Sequence, residues 1–205
     1  MAKLTPELLL NAPQCLNPIG HRMLYLRELQ VTIIENLAVI ESMFDGIDLS
    51  FNLITHLGEF PLIPSLRVLL VADNSVETIS SFLSASNLPL LESINLYHNN
   101  ISSLAELGKL ASLPKLKELY VGRNPVCNIE NFRVKLLTLL PQLTVINGSM
   151  VTAKEREQAS ILGKAENEVA KPLPAPVKRK MAPVVTEKKP ARAEMLNMAL
   201  ADDFF

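Results

Sequence analysis

From Ile47 to Val126 the apolar positions repeat one pattern, clearest in Leu91–Leu104, LESINLYHNNISSL. Its apolar residues are Leu91, Ile94, Leu96, Ile101 and Leu104, with Asn99 between them. That spacing is neither a helical period nor a sustained alternation of two. It predicts a short strand burying Leu91, Ile94 and Leu96, a turn at His98–Asn100, and a chain that doubles back. Ile101 and Leu104 then fill the coil. Ile47, Leu49, Asn52, Ile54 and Leu57 keep the same spacing, as do Leu66, Leu69, Val71, Asn74, Val76 and Ile79. A further copy runs Leu116, Leu119, Val121, Asn124 and Val126.

The four asparagines stand 22, 25 and 25 residues apart, inside the range of leucine-rich repeats. A sharply turning coil leaves interior backbone N–H and C=O groups without ladder partners. A carboxamide, donor and acceptor at once, can bridge them to the next coil. Each group left unpaired inside costs about 1–3 kcal/mol. Asn17, outside the repeats, is expected to matter far less. The predicted architecture is an α/β leucine-rich repeat solenoid, a short right-handed horseshoe with a parallel concave sheet. It has helical caps at both ends and a disordered C-terminal tail.

Four regions follow along the chain. Residues 1–20 read as an N-terminal cap, in which Thr5-Pro6-Glu7 starts a short helix: hydroxyl cap, proline at the first position, acid in the first turn. Residues 21–130 hold five repeats. The first, Met23-Leu24-Tyr25-Leu26-Arg27, is degenerate, with Leu29 where the asparagine belongs and Ile33, Ile34 and Leu37 on its returning side. The connections after Ile54 and Val76 are expected to form 3₁₀ turns. Residues 131–169 read as a C-terminal cap: Phe132, Leu136, Leu137 and Leu140 on one helical face, then a last strand at Leu143, Val145 and Ile146. A capping box, Thr152-Ala153-Lys154-Glu155, opens a polar final helix. Residues 170–205 form the tail. Lys178-Arg179-Lys180 and Lys188-Lys189 fit either a bipartite nuclear localisation signal or a solvated linker. Ala193 to Phe205 fits either a helix formed on a partner or no structure.

Composition changes this picture in two ways. Residues 1–163 carry 12 Lys/Arg against 15 Asp/Glu, which argues against a repeat domain that binds nucleic acid by charge alone. Cys15 and Cys127 are far apart in sequence and lack a CxxC pattern, so they read as reduced thiols of an intracellular protein. Neither a signal peptide nor a membrane span is expected. The residues also point away from catalysis. Gly163-Lys164 lacks the rest of a phosphate loop, His21, His56 and His98 stand apart from other ligating groups, and no serine or cysteine sits in a nucleophile elbow. No cofactor, metal or small-molecule substrate is expected.

What remains is a surface. In strands reading LxLxx the x positions project from the concave side, because neighbouring side chains alternate faces. These positions are Tyr25, Arg27 and Glu28; Asp48, Ser50 and Phe51; Leu70, Ala72 and Asp73; Asn95, Tyr97 and His98; Tyr120, Gly122 and Arg123. Aromatic and aliphatic groups ringed by charge suit a protein interface. Tyr25, Glu28, Asp48, Phe51, Leu70, Asp73, Asn95, Tyr97 and Tyr120 are therefore the candidate partner-binding residues. Tyr97 and Tyr120 are expected side by side on adjacent strands, about 4.8 Å apart.

The opening MAKLTPEL, Ile34-Glu35-Asn36-Leu37 and FDGIDLSFN from Phe44 to Asn52 are more specific than the repeat leucines and the cap, which many such proteins share. Beside them stand Leu24-Tyr25-Leu26-Arg27, Arg123-Asn124-Pro125-Val126 and Pro141-Gln142-Leu143. With Val151, Lys154, Glu155 and Arg156 they make residues 1–165 resemble the A-prime family of U2 small nuclear ribonucleoprotein subunits. The resemblance does not reach the tail. It implies a non-catalytic splicing scaffold in the nucleus, whose concave face and N-terminal region hold the RNA-recognition-motif domain of a B-double-prime partner. Together the two would bind a hairpin of U2 snRNA. Asp48, Glu28 and Asp73 would then face basic groups of the partner, and Lys3, Arg22, Arg27 and Arg123 would reach RNA phosphates. The alternative is a generic leucine-rich repeat adaptor, ciliary light-chain-like or phosphatase-regulatory.

Overall fold

The computed structural model describes residues 3–58 and 60–169. The tail at 170–205, with its basic clusters and last thirteen residues, lies outside the described residues.

The chain opens with α1 (Pro6–Asn11), where the Thr5 hydroxyl accepts a bond from the Leu8 N–H at 3.2 Å. Strands β1 (Gln14–Leu16) and β2 (Arg22–Tyr25) follow, then a 3₁₀ turn at Leu37–Ile40. Coil after coil then supplies β3 (Gly46–Asp48), β4 (His56–Leu57), β5 (Val68–Leu70), β6 (Thr78–Ile79) and β7 (Ser93–Asn95). After α2 (Leu104–Gly108) come β8 (Glu118–Tyr120) and α3 (Phe132–Leu139). The described chain ends in β9 (Val145–Ile146), β10 (Ser149–Met150) and α4 (Ala153–Val169).

One sheet unites the coils in the order β1-β2-β3-β5-β7-β8-β9-β10. The inner pairs are parallel because each coil returns to the same side before starting its next strand. The two end pairs, β1 with β2 and β9 with β10, are antiparallel. These end strands close the solenoid, whose core an open last coil would expose. Neither β1 nor β10 was legible in the sequence, whereas β2 and β9 fall within strands expected there.

The repeat leucines and isoleucines form one continuous core, with Leu24, Ile47, Leu69, Ile94, Leu119 and Ile146 fully buried in successive coils. The asparagines work as ladder rungs. Asn99 accepts from the Val76 N–H at 2.8 Å and donates to the carbonyls of Val71 at 2.9 Å and Leu96 at 3.1 Å. Asn124 does the same for Ile101, Leu96 and Val121, and Asn74 for Ile54, Leu49 and Ala72. Asn52 serves the degenerate first coil, taking the N–H groups of Leu29 and Val31, both at 3.1 Å. Asn147 continues the series past the last repeat, accepting from Val121 and Gly122.

Three expectations need correction. Ile33 is exposed, and Val31 takes its place in the first coil. The connections after Ile54 and Val76 first run extended, because β4 and β6 pair with each other in parallel on the returning side. Single turns come only beyond them, with the Leu83 N–H on the Ser80 carbonyl and the Asn87 N–H on the Ser84 carbonyl, and no 3₁₀ helix forms among the described residues there. Asn17 is not idle: its side-chain oxygen accepts from the N–H groups of Ile19 and His21, shaping the turn between β1 and β2.

Both caps are tied to the coils by polar side chains. Asn36 donates to the Leu4 carbonyl at 2.8 Å, so the IENL stretch fastens α1 to the first repeat. At the other end the capping box closes reciprocally, with the Thr152 N–H on the Glu155 carboxylate and the Glu155 N–H on the Thr152 hydroxyl. Arg133 reaches the same carboxylate at 2.6 Å. Hydrogen bonds from Arg133 and then Thr152 hold the Glu155 carboxyl down to about 2.

Candidate functional site

The concave residues stand in three rows across the parallel strands. The first is set by strand register: Tyr25 beside Asp48, Asp48 beside Leu70, Leu70 beside Asn95, and Asn95 beside Tyr120. The second, two residues on, is Arg27, Ser50, Ala72, Tyr97 and Gly122. The third is Glu28, Phe51, Asp73, His98 and Arg123, and all five have positive φ, between 52° and 60°. Each precedes the rung position of its coil, and the left-handed residue turns the chain so that the next side chain enters the coil. That conformation costs about 1–2 kcal/mol in a non-glycine residue, which in the four coils with an asparagine rung is offset by the bonds that rung makes.

This register corrects the tyrosine pair. Asn95 is the neighbour of Tyr120, and Tyr97 lies diagonally, one row on. The Tyr97 ring instead rests over Gly122, where an added Cβ would come within 3.0 Å of it. The Arg123 guanidinium lies 5.5 Å from the Tyr97 ring centroid, and the His98 ring 6.4 Å. His98 in turn bonds Asp73 at 2.6 Å across neighbouring coils. Nearer the N-terminal end, Arg27 stacks 4.9 Å from the Phe51 centroid and lies 3.7 Å from an Asp48 oxygen. Phe51 and Tyr97 are the large exposed groups of this face.

Asp48 departs from its expected role. It is only 3% exposed, and one carboxylate oxygen accepts from the Ser50 N–H at 2.9 Å. Asn95 makes the equivalent bond to the Tyr97 N–H, also at 2.9 Å. Both side chains brace the concave backbone, and Asp48 has no free carboxylate to present to a partner. Glu28 is exposed, whereas Asp73 is half-buried and held by His98. Leu70 and Tyr120 are half-buried in the first row.

The four expected phosphate-contacting cations do not converge. Arg27 and Arg123 are both exposed, but four strand steps, roughly 19 Å, separate β2 from β8. Arg22 starts β2 at the opposite end of the strand from Arg27, with its guanidinium 3.5 Å from Asp45. The Arg22 backbone N–H on that carboxylate keeps Asp45 below the usual carboxyl range. Lys3 is exposed just before α1.

A cleft of about 490 Å³ adjoins the first strand, lined by Leu8, Ala12, Pro13, Tyr25, Arg27 and Leu29 among others. It forms where α1 leans on the first coil. The Tyr25 hydroxyl sits 3.3 Å from Cys15 Sγ, and that bond, with burial, pushes its pKa up. Among the described residues no three His, Cys, Asp or Glu side chains stand close enough to hold a metal ion.

Comparison with known proteins agrees with this architecture. A family model described as leucine-rich repeat matches residues 1–173. The chain is 38% identical over 166 residues to the U2 small nuclear ribonucleoprotein A' of Homo sapiens, covering 81% of this chain and 65% of that protein. To the Arabidopsis thaliana protein of the same name it is 38% identical over 174 residues, covering 83% of this chain and 70% of the relative. It thus spans about two thirds of the length of these curated relatives. Among solved structures, a chain of the Drosophila melanogaster SNF/U2A' complex superposes with a TM-score of 0.77 and 34% identity. That match covers 82% of this chain and 99% of the other. Identity over such lengths, the leucine-rich repeat match and the superposition place the chain in the leucine-rich repeat family of the U2 small nuclear ribonucleoprotein A' proteins.

Proposed function

We propose that this chain is a non-catalytic component of the U2 small nuclear ribonucleoprotein, acting in pre-mRNA splicing in the nucleus and holding a protein partner on its concave face. The observation that carries this reading is the match along 99% of a chain solved in a complex, SNF/U2A'. The face itself supports it, since Phe51 and Tyr97 are exposed there and fill no part of the core. Tyr25, Glu28, Leu70, Asp73, Asn95 and Tyr120 complete the contact surface, and the first-strand cleft receives an apolar group of the partner.

The partner is an RNA-recognition-motif protein of the B-double-prime kind, and the pair binds a hairpin of U2 snRNA. With acids in excess over residues 1–163, most phosphate contacts fall to the partner. Arg27, Arg123 and Lys3 add contacts from separate points of the rim. Asp48 acts indirectly, by keeping Arg27 and the Ser50 backbone in place.

Affinity purification of the full chain from nuclear extract tests the assignment. U2 snRNA and an RNA-recognition-motif protein should co-purify, and Tyr97→Ala should weaken recovery of both. Recovery of neither, with some other partner in their place, would return the chain to the generic adaptors.

A further inference from the structure

The face opposite the concave sheet has its own chemistry. The returning segments of the first coils, 29–44, 53–66 and 75–91, contain no lysine or arginine. They do contain Glu35, Glu41 and Glu77. On this acidic side, neighbouring coils leave apolar side chains uncovered. Phe82 is 54% exposed, Leu62 50% and Val39 38%. Phe82 and Pro61 line a surface cleft of about 340 Å³ with Asn36, Ala38 and Asn87, and Phe60 forms part of its wall. The cleft is firmly built. Asn87 donates to the Phe60 carbonyl and accepts the Ile63 N–H at its own carbonyl, which fixes the coil bearing Phe82 against the coil bearing Pro61.

We infer that this convex cleft is a second docking site, for a protein segment that carries apolar anchors flanked by lysine or arginine. An exposed aromatic beside a preformed cleft supplies the anchor contact. Glu35 and Glu41, in the segment that supplies Asn36 and Ala38 to the cleft, favour a basic partner. Lys109, which reaches the Ile79 carbonyl on this side, is already paired with Glu106. The same charge argues against other occupants. Nucleic acid and anionic membranes would meet carboxylates, and a second copy in isologous contact would set this acidic face against itself. The site is independent of the concave face, so the two can be filled together.

The test uses the full chain and a labelled helical peptide with leucines at i, i+3, i+4 and i+7 and lysines elsewhere. A counterpart carries glutamate in place of each lysine. Anisotropy should show binding of the lysine peptide only, and hydrogen exchange should slow at residues 60–63 and 80–87. Phe82→Ser and Leu62→Ser, each at an exposed position, should melt like the parent and bind about tenfold more weakly. Glu35→Lys with Glu41→Lys should weaken binding at low salt, with the difference shrinking at high salt. Tyr97→Ala on the concave face should bind as the parent does. Protection on the concave face, equal binding of both peptides, or affinity unchanged by Phe82→Ser and Leu62→Ser would each overturn the proposal. So would self-association of the chain that Phe82→Ser abolishes, because the occupant would then be a second copy.

Discussion

At the scale of single residues, the rungs do not weigh equally, because their burial differs. Asn99 is 7% exposed and Asn124 3%, whereas Asn74 is half-buried. Asn99→Ala would strand the Val76 N–H and the Val71 carbonyl away from water, at a cost of about 2–4 kcal/mol. Asn74→Ala should cost about 1–2 kcal/mol, since water can reach part of the vacated site. Urea midpoints should fall in that order, with exposed Asn128→Ala close to the parent; equal midpoints for all three would remove the ladder argument. Asp48 gives a second contrast. Asp48→Asn should fold normally, because an asparagine makes the same bond at position 95. Asp48→Lys would place an ammonium in a site built to accept an N–H, beside Arg27. A fall of about 5–10 °C in Tm is expected by calorimetry, so that variant reports on stability before it reports on any partner.

At the scale of elements, the contact of β7 with β8 and the closure of the C-terminal cap make separate predictions. Gly122 has ordinary φ, so the only obstacle to a side chain is the Tyr97 ring at 3.0 Å. Gly122→Ala should therefore shift that ring with little loss of stability, about 1 kcal/mol or less, while weakening concave binding. Unfolding curves and partner titrations separate the two effects; a large stability loss with unchanged affinity would mean that the ring has no part in binding. In the cap, the folded state holds Glu155 at about 2, well below the ordinary carboxyl value of 4.5. A depressed carboxyl stabilises the fold above its unfolded pKa and loses that contribution as pH falls toward the folded value. For Glu155 the window is about pH 4.5 down to 2. The contribution is on the order of 2 kcal/mol after allowing for partial exposure. Asp45, Glu92 and Glu106 are also lowered, so the parent's acid sensitivity has several sources. Glu155→Gln isolates one of them. The stability gap between parent and variant should be largest near neutral pH and close below pH 3, as measured by urea unfolding across that range.

At the scale of the whole molecule, charge separates the two proposed faces. The concave side mixes Arg27 and Arg123 with Glu28, Asp48 and Asp73 beside Phe51 and Tyr97, whereas the returning segments 29–44, 53–66 and 75–91 carry acids but no lysine or arginine. The isolated domain, residues 1–165, should bind the U2 hairpin weakly or not at all at physiological salt. Adding the partner protein should give tight binding with a steep dependence on salt. Filter binding with and without the partner measures both; submicromolar binding by the domain alone would place the principal RNA surface on this chain.

The repeat was legible in the sequence because every coil makes the same local demand. Inward residues must be apolar, and each turn must hand a carboxamide to the coil before it. Periodicity alone therefore located β3, β5, β7 and β8, the rungs and the core leucines. Thr5 and Thr152 announced their helices because caps are local motifs. Tertiary structure decided what depends on two coils meeting. It set Asn95 beside Tyr120, drew β4 and β6 into a second sheet, and added β1 and β10 as closing strands. Strands of two or three residues have too little pattern of their own, so pairing across neighbouring coils defines them. The same holds for Asp48, which reads as a surface acid in an LxLxx string and is buried only because Arg27 and the Ser50 backbone close over it. The cleft between α1 and β2 arises in the same way, from a helix and a strand whose separate sequences contain no trace of their contact.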